Sequence, residues 1–161
     1  MKVEINVTWK KVVLIILTAF ILYIVIIKLL TFNELSKMDL NCEFIIQAID
    51  NNDDKLFQDN KYFLGENGYS LFKIVSLDIF KSEGHVYLWN KIKSWLDTSK
   101  DLNLNNIDKN SLKKIIIGYS SDIKAKQNSY FMDNISTIIA FLLSLIGSFM
   151  TIFFRKPNKT E

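Results

Sequence analysis

The sequence is poor in the residues that most often carry catalysis or metal binding. Its 161 residues include one histidine, one cysteine, one proline and five glycines. The single histidine, His85, excludes zinc sites built from several histidines, and no G-x-S-x-G run provides a serine nucleophile for it to activate. We interpret His85 as a solvent-exposed or helix-capping residue without a catalytic role. Glycine-rich phosphate loops are absent from the sequence as well, so we predict no bound cofactor.

The single cysteine, Cys42, excludes an intrachain disulfide and a thiolate metal cluster. We expect it to be buried as a small apolar side chain. Residues 50–54 and 101–105 carry oxygen-bearing side chains at the first three ligand positions of a calcium loop. Neither stretch supplies the glycine or the bidentate glutamate that such a loop needs. We therefore interpret both as solvated loops and predict no metal site.

Two long apolar runs lie near the two ends of the chain. Residues 12–30 contain Lys28 as their only charge, and residues 135–154 contain no charge. Because a helix rises about 1.5 Å per residue, each run can cover the ~30 Å hydrocarbon core of a bilayer. Neither run has the polar stripe that a buried core helix of a soluble protein usually carries. The sequence predicts two transmembrane helices, the first an uncleaved signal anchor and not a cleaved signal peptide.

Between these runs, residues 31–134 predict a compact, mostly helical domain. Apolar residues recur at helical spacing before residue 50 and after Asp108, and the turn-forming cluster at 50–54 ends the first helix. Residues 65–68, with a glycine at each end, predict a turn. Residues 69–80 fit a helix or a strand, and their apolar spacing favours the helix. The predicted fold class is mainly all-α, with a transmembrane helix on each side of the domain.

The positive charge of the chain is concentrated in its short tails, residues 1–11 and 155–161. The net charge is +3, but residues 31–134 hold 13 lysines against 15 acidic residues, a net charge of −2. This distribution indicates membrane topology and excludes a basic nucleic-acid surface. Lysine and arginine are enriched on cytoplasmic flanks of membrane spans. We therefore expect both termini in the cytoplasm and the domain outside it.

Several residues suit the interfaces between bilayer and water, where aromatic and basic side chains are enriched. Lys28 lies at the outer end of the first run, and we expect its long side chain to carry the ammonium to the interface. The predicted membrane-interface residues are Trp9, Lys10, Lys11, Lys28, Tyr130, Arg155 and Lys156.

Small side chains form a stripe along the second apolar run. Ser136, Ala140, Ser144 and Ser148 recur every four residues, and Gly147 adjoins them. Small residues at this spacing let a second helix approach closely within a membrane. The stripe predicts a homo-oligomer or a pairing with another membrane protein.

The sequence therefore predicts a non-enzymatic integral membrane protein whose outer domain binds a ligand or partner and whose spans mediate assembly. A sensor, an envelope-defence protein or an immunity protein fits this description. Lysine outnumbers arginine 19 to 1, which is typical of an AT-rich bacterial genome and favours a bacterial inner membrane. The alternatives are an oligomeric pore or membrane-disrupting effector and a membrane-anchored enzyme that uses carboxylates alone.

Overall fold

The computed structural model describes residues 2–78 and 83–154 of the chain. Within these ranges it describes the backbone throughout, and it omits the side chains of 2–11, 14, 83, 130–138 and most residues beyond 140. The helices are α1 (Lys2–Asn51), α2 (Asp54–Leu77), α3 (Glu83–Thr98) and α4 (Lys109–Phe154), with a 3-10 turn at Leu104–Asn106. The all-α prediction is confirmed for the described residues, which contain no strand.

A tight turn joins α1 to α2, at the position where the cluster of turn-forming residues predicts it. Asn52 adopts a left-handed conformation with φ of 55°, which asparagine tolerates better than most residues. The Asp53 amide donates to the carbonyl of Ala48 at 2.9 Å and closes the end of α1. The Asp53 carboxylate accepts from the amide of Leu56 at 2.9 Å, as an N-cap of α2 does. One residue thus ends one helix and begins the next.

Helix α2 runs without a break from Asp54 to Leu77, through the predicted turn at 65–68. The helix favoured over 69–80 is confirmed as far as Leu77, and residues 79 and 80 lie outside the described part of the chain. The predicted turn at 65–68 is wrong, because Gly65 and Gly68 lie inside α2. A Cβ on Gly68 would overlap the Trp89 ring, and one on Gly65 would lie 3.3 Å from Leu96. These glycines give α3 room to pack closely against α2.

The four helices share one hydrophobic core. Helix α1 packs against α2 and α4, and α3 packs against α2 and α4 in turn. Every helix contributes fully buried side chains. The largest are Leu35, Met38 and Ile45 of α1, Phe57, Leu64 and Leu71 of α2, Leu88 and Ile92 of α3, Leu104, and Ile116 and Ile123 of α4.

Helices α1 and α4 extend far beyond this core. At about 1.5 Å per residue, the 50 residues of α1 and the 46 of α4 are each roughly 70 Å long. Among the described residues, one helical segment, Ile15–Asn51, is long and apolar enough to cross a membrane, and a signal sequence near an N-terminus has the same properties. Most side chains of the second predicted span, 135–154, lie outside the described set. The second span stays a prediction.

The glycine contact between α2 and α3 predicts different effects for two alanine substitutions. Gly68→Ala must displace Trp89, so we expect the free energy of unfolding to fall by about 2 kcal/mol. Gly118→Ala on α4 is the matched control: its Cβ would meet no atom within 4 Å, and we expect stability to rise by up to about 1 kcal/mol. Thermal unfolding of the full chain in detergent, followed by circular dichroism, measures both. Equal stabilities would contradict the close approach of the two helices.

Candidate functional site

A seam of polar contacts holds α1 and α4 antiparallel in the domain. Lys113 forms an ion pair with Asp50 at 2.6 Å, and the Ser120 hydroxyl donates to the Asp39 carboxylate at 2.6 Å. The Gln127 amide donates to the Ser36 hydroxyl at 2.7 Å. Exposed ion pairs contribute about 0–1 kcal/mol each, so the seam contributes less to stability than to register. The contact between Ser36 and Gln127 sets the register of the two antiparallel helices at the end of the seam that is nearest the apolar runs.

The end of α2 is bonded to the apolar half of α1. The Lys28 ammonium contacts the Asp78 carboxylate at 2.7 Å, with 12% and 6% of the two side chains exposed. The Tyr23 hydroxyl donates to the carbonyl oxygen of Leu77 at 2.6 Å. Sequence analysis expected the Lys28 ammonium to extend to a water interface, but the structure gives it a largely buried carboxylate partner. That partner lies 50 residues further along the chain, so no local pattern could reveal it.

A groove lies between α2 and α3, with a volume of about 480 Å³. Tyr69 and Phe72 of α2 are exposed at one side, and Trp89 of α3 is buried at its base. The Lys73 ammonium lies 4.2 Å from the centre of the Tyr69 ring. The complete lining consists of Tyr69, Phe72, Trp89, Asn90, Lys93, Leu96 and Asp97. We call it the aromatic groove: an aromatic and aliphatic floor bordered by one lysine and one aspartate.

Sequence analysis missed the aromatic groove because it interpreted 65–68 as a turn. A detectable signal was present. Gly65 and Gly68 lie one helical turn apart. Tyr69 lies four residues after Gly65, and Phe72 lies four residues after Gly68, which is also helical spacing. An uninterrupted helix would place these residues together on the side of α2 that α3 approaches.

The described part of the small-residue stripe is exposed. Ala140, Ser144 and Gly147 face away from the rest of the chain, and a Cβ on Gly147 would meet no atom within 4 Å. The neighbouring Ile139 and Leu143 are exposed as well. The side chains of Ser136 and Ser148 lie outside the described set, as do those of Trp9, Lys10, Lys11 and Tyr130, and residues Arg155 and Lys156. The roles assigned to these residues stay predictions.

The expectation that His85 is exposed or forms a cap is wrong. The structure buries it, with 4% of its surface accessible. Leu88 lies three residues after His85, and Ile92 lies seven residues after it. At this spacing the three side chains share the face of α3 that points to the core. The sequence shows the spacing of His85 from Leu88 and Ile92, but the neighbouring Gly84 favoured an interpretation in which the helix only begins at His85.

The first calcium-like stretch uses its oxygens within the protein, and in the second the Asn103 side chain accepts from the amide of Asn105. Asp50 pairs with Lys113, the Asn52 side chain accepts from Lys109, and the Asp54 carboxylate accepts from the amide of Leu104 at 3.2 Å. Asp50 and Asp54 belong to helices, so the first stretch is not the loop that the sequence predicted. Among the described residues, no group of three histidine, cysteine, aspartate or glutamate side chains could hold a metal ion.

Lys61 is a buried cation with a structural role. Its ammonium donates to the carbonyls of Ser99 at 2.7 Å and Lys100 at 3.3 Å, just beyond the C-terminal end of α3. Burial lowers its pKa, whereas Asp54 and Asp101 act to raise it. A cation at this position suits the partial negative charge at the end of a helix. Lys61 therefore connects the C-terminal end of α3 to α2.

No protein-family model, curated protein or solved structure matches the chain.

Cys42 is buried as predicted, and its environment predicts a very slow reaction with thiol reagents. Burial, and after it the charge of Asp39, raises the pKa of the thiol to about 12. At pH 8 the thiolate fraction is then about a thousandfold lower than in the unfolded chain. We expect Ellman's reagent to label unfolded protein within minutes and native protein orders of magnitude more slowly. A Lys55→Cys variant, with the new thiol on an exposed site, should label quickly when native. Rapid labelling of native Cys42 would contradict its burial.

Proposed function

We propose that the protein is a non-enzymatic integral membrane protein whose helical domain binds a partner and whose two spans assemble with other helices in the bilayer. The observation that carries this proposal is the continuity of α1 and α4. Each helix includes part of the packed core and then continues without a break into an apolar segment. Helices α1 and α4 therefore each contribute both to the packed domain and to a segment proposed to cross the membrane.

Continuity supports a role in which the domain reports on a partner. Sharp kinks in helices occur mainly at proline or at glycine pairs. The only proline is Pro157, and α1 contains no glycine. A displacement at the domain end of α1 is therefore carried along the helix, because no flexible joint absorbs it. This property suits a sensor, an envelope-defence protein or an immunity protein.

The aromatic groove is our proposed partner site on the domain. Tyrosine and tryptophan are enriched among the residues that contribute most to protein interfaces. Tyr69 and Phe72 expose apolar surface beside the exposed polar residues Lys93 and Asp97. An apolar side chain of a partner protein, flanked by hydrogen-bonding groups, fits this arrangement.

The exposed stripe on α4 is the proposed assembly surface. Ala140, Ser144 and Gly147 leave a shallow track beside the bulkier Ile139 and Leu143. Within lipid, helices associate through close packing of small residues, because the lipid tails are as apolar as the side chains. A second copy of the chain or a different membrane protein would pack there.

We further propose that the tails lie in the cytoplasm of a bacterial cell and the domain lies outside, as the charge of the tails favours. Lys100→Cys should be labelled in intact cells by a membrane-impermeant maleimide, because this side chain is exposed on the domain. Asn158→Cys, in the C-terminal tail, should be labelled only after permeabilisation. The reverse pattern would invert the orientation, and labelling of both sites in intact cells would contradict a two-span topology.

Assembly through the stripe predicts the effect of added bulk. In the double variant Ala140→Leu/Ser144→Leu, larger side chains prevent close helix approach, so we expect the oligomer to dissociate toward the monomer. Leu143→Phe adds bulk at a neighbouring exposed position and is the matched control; we expect it to keep the oligomer. Light scattering coupled to size-exclusion chromatography in mild detergent measures the protein mass. An unchanged mass for the double variant would count against assembly through this face.

A further inference from the structure

The C-terminal turn of α2, residues 75–78, lies beside the apolar half of α1. We call this turn the α2 tip. It is bonded to Tyr23 through the Leu77 carbonyl and to Lys28 through Asp78. Tyr23 lies seven residues before Leu30, the end of the predicted span, which corresponds to roughly 10 Å along the helix. The domain therefore reaches down along a segment that the proposed function assigns to the membrane.

The length of the apolar run decides where the bilayer must end. Lys10 and Lys11 limit the run on its inner side. If the hydrocarbon core ended at the level of Tyr23, below the α2 tip, residues 12–22 would have to cross it. Eleven residues cover about 16 Å of a core that is ~30 Å thick. The span is long enough only if the bilayer extends to about Leu30, past the α2 tip.

Helix α4 gives the same boundary independently. Ser36 of α1 lies opposite Gln127 of α4. Counting eight residues further along both antiparallel helices from this contact pairs Lys28 with Ile135. Ile135 begins the uncharged run of α4, directly after Asp133 and Asn134. Two apolar runs thus reach the same height, and the α2 tip lies at or below it.

The surface at this height is arranged as expected for contact with lipid. Leu77 is 59% exposed, and Ile26 and Leu29 of α1 are 54% and 65% exposed. Among the described residues at this height, the charged side chains of Lys28 and Asp78 are only 12% and 6% exposed. Outward apolar groups and inward charges are the reverse of a surface in water. A surface in hydrocarbon requires both features, because unpaired charges are costly there.

The polar side chains of the first run also match this arrangement. Residues 12–30 contain Thr18, Tyr23 and Lys28 as their only polar side chains, and two of these bond to the α2 tip. In hydrocarbon, a helix end must have its free carbonyls satisfied by the protein. The Tyr23 hydroxyl donates to the Leu77 carbonyl, and the Asp78 amide donates to the Val75 carbonyl at 3.1 Å. The Lys28 ammonium neutralises Asp78, so this charge is not isolated.

Building on the proposed membrane location, we infer that the α2 tip is immersed in the outer leaflet of the bilayer, with Leu77 in contact with acyl chains. The partner of this surface is lipid. The Lys28–Asp78 pair is then an ion pair within the protein at membrane depth, and the domain is seated in the leaflet.

Spin-label accessibility in vesicles tests this inference. A nitroxide is attached at Leu77→Cys in the full chain, which is reconstituted in phosphatidylcholine and phosphatidylglycerol vesicles. The collision rates of the label with oxygen, which concentrates in lipid, and with a water-soluble nickel chelate are then compared. Tyr62→Cys is the matched control, because Tyr62 lies on the same helix, is 62% exposed and is about 22 Å further from the tip. Ile16→Cys, also at a 62% exposed position, reports on the span itself.

We expect the ratio of oxygen to nickel collisions at Leu77 to resemble that at Ile16 and to exceed that at Tyr62 several-fold. The unsubstituted chain, with buried Cys42 alone, should take up little label. If Leu77 resembles Tyr62 while Ile16 is in lipid, the membrane span stands and the immersed tip is overturned. If Ile16 is also in water, the proposed membrane location fails, and the inference fails with it.

Discussion

The contact between Lys28 and Asp78 connects the apolar part of α1 to the end of α2 in the helical domain. A lysine in an apolar run is costly unless a carboxylate accompanies it, and the carboxylate here comes from another helix. To supply it, α2 must continue for 24 residues without a break, back along α1 from the turn at Asn52. The length of α2 and the position of the turn at Asn52 therefore together determine where along α1 the Lys28–Asp78 pair lies.

Close packing along α2 supports the unbroken length that the Lys28–Asp78 pair requires of this helix. An uninterrupted helix of this length needs neighbours on more than one side, and the glycines at 65 and 68 let α3 approach as one of them. The approach leaves Tyr69 and Phe72 only partly covered, and so creates the aromatic groove. The same contact that packs α3 against α2 thus produces the groove that we propose as the partner site, away from the tip that we propose lies in lipid.

Local patterns predicted the helices well and the tertiary contacts poorly. Of the apolar residues of α4 whose spacing predicts one buried face, Leu112, Ile116, Tyr119 and Ile123 are buried, and Ile115 is 44% exposed. The turn at 50–54 ends α1. The interpretation of 65–68 as a turn failed because glycine marks a turn and a close helix contact equally, and only α3 distinguishes them. His85 was misplaced because one neighbouring glycine was weighed above its spacing from Leu88. The groove and the Lys28–Asp78 pair depend on residues distant in sequence, which no local pattern connects.

The unbroken course of α1 also limits how the chain can change in length. One residue inserted between Lys28 and Leu35 would turn the first part of the helix by about 100° relative to the core. Lys28 would then point away from Asp78, although no side chain had been replaced. Seven inserted residues would nearly restore the angle but would move Lys28 about 10 Å further from the core, so that α2 would need two extra turns to meet it. Insertions and deletions in this stretch are tolerable only as coordinated pairs.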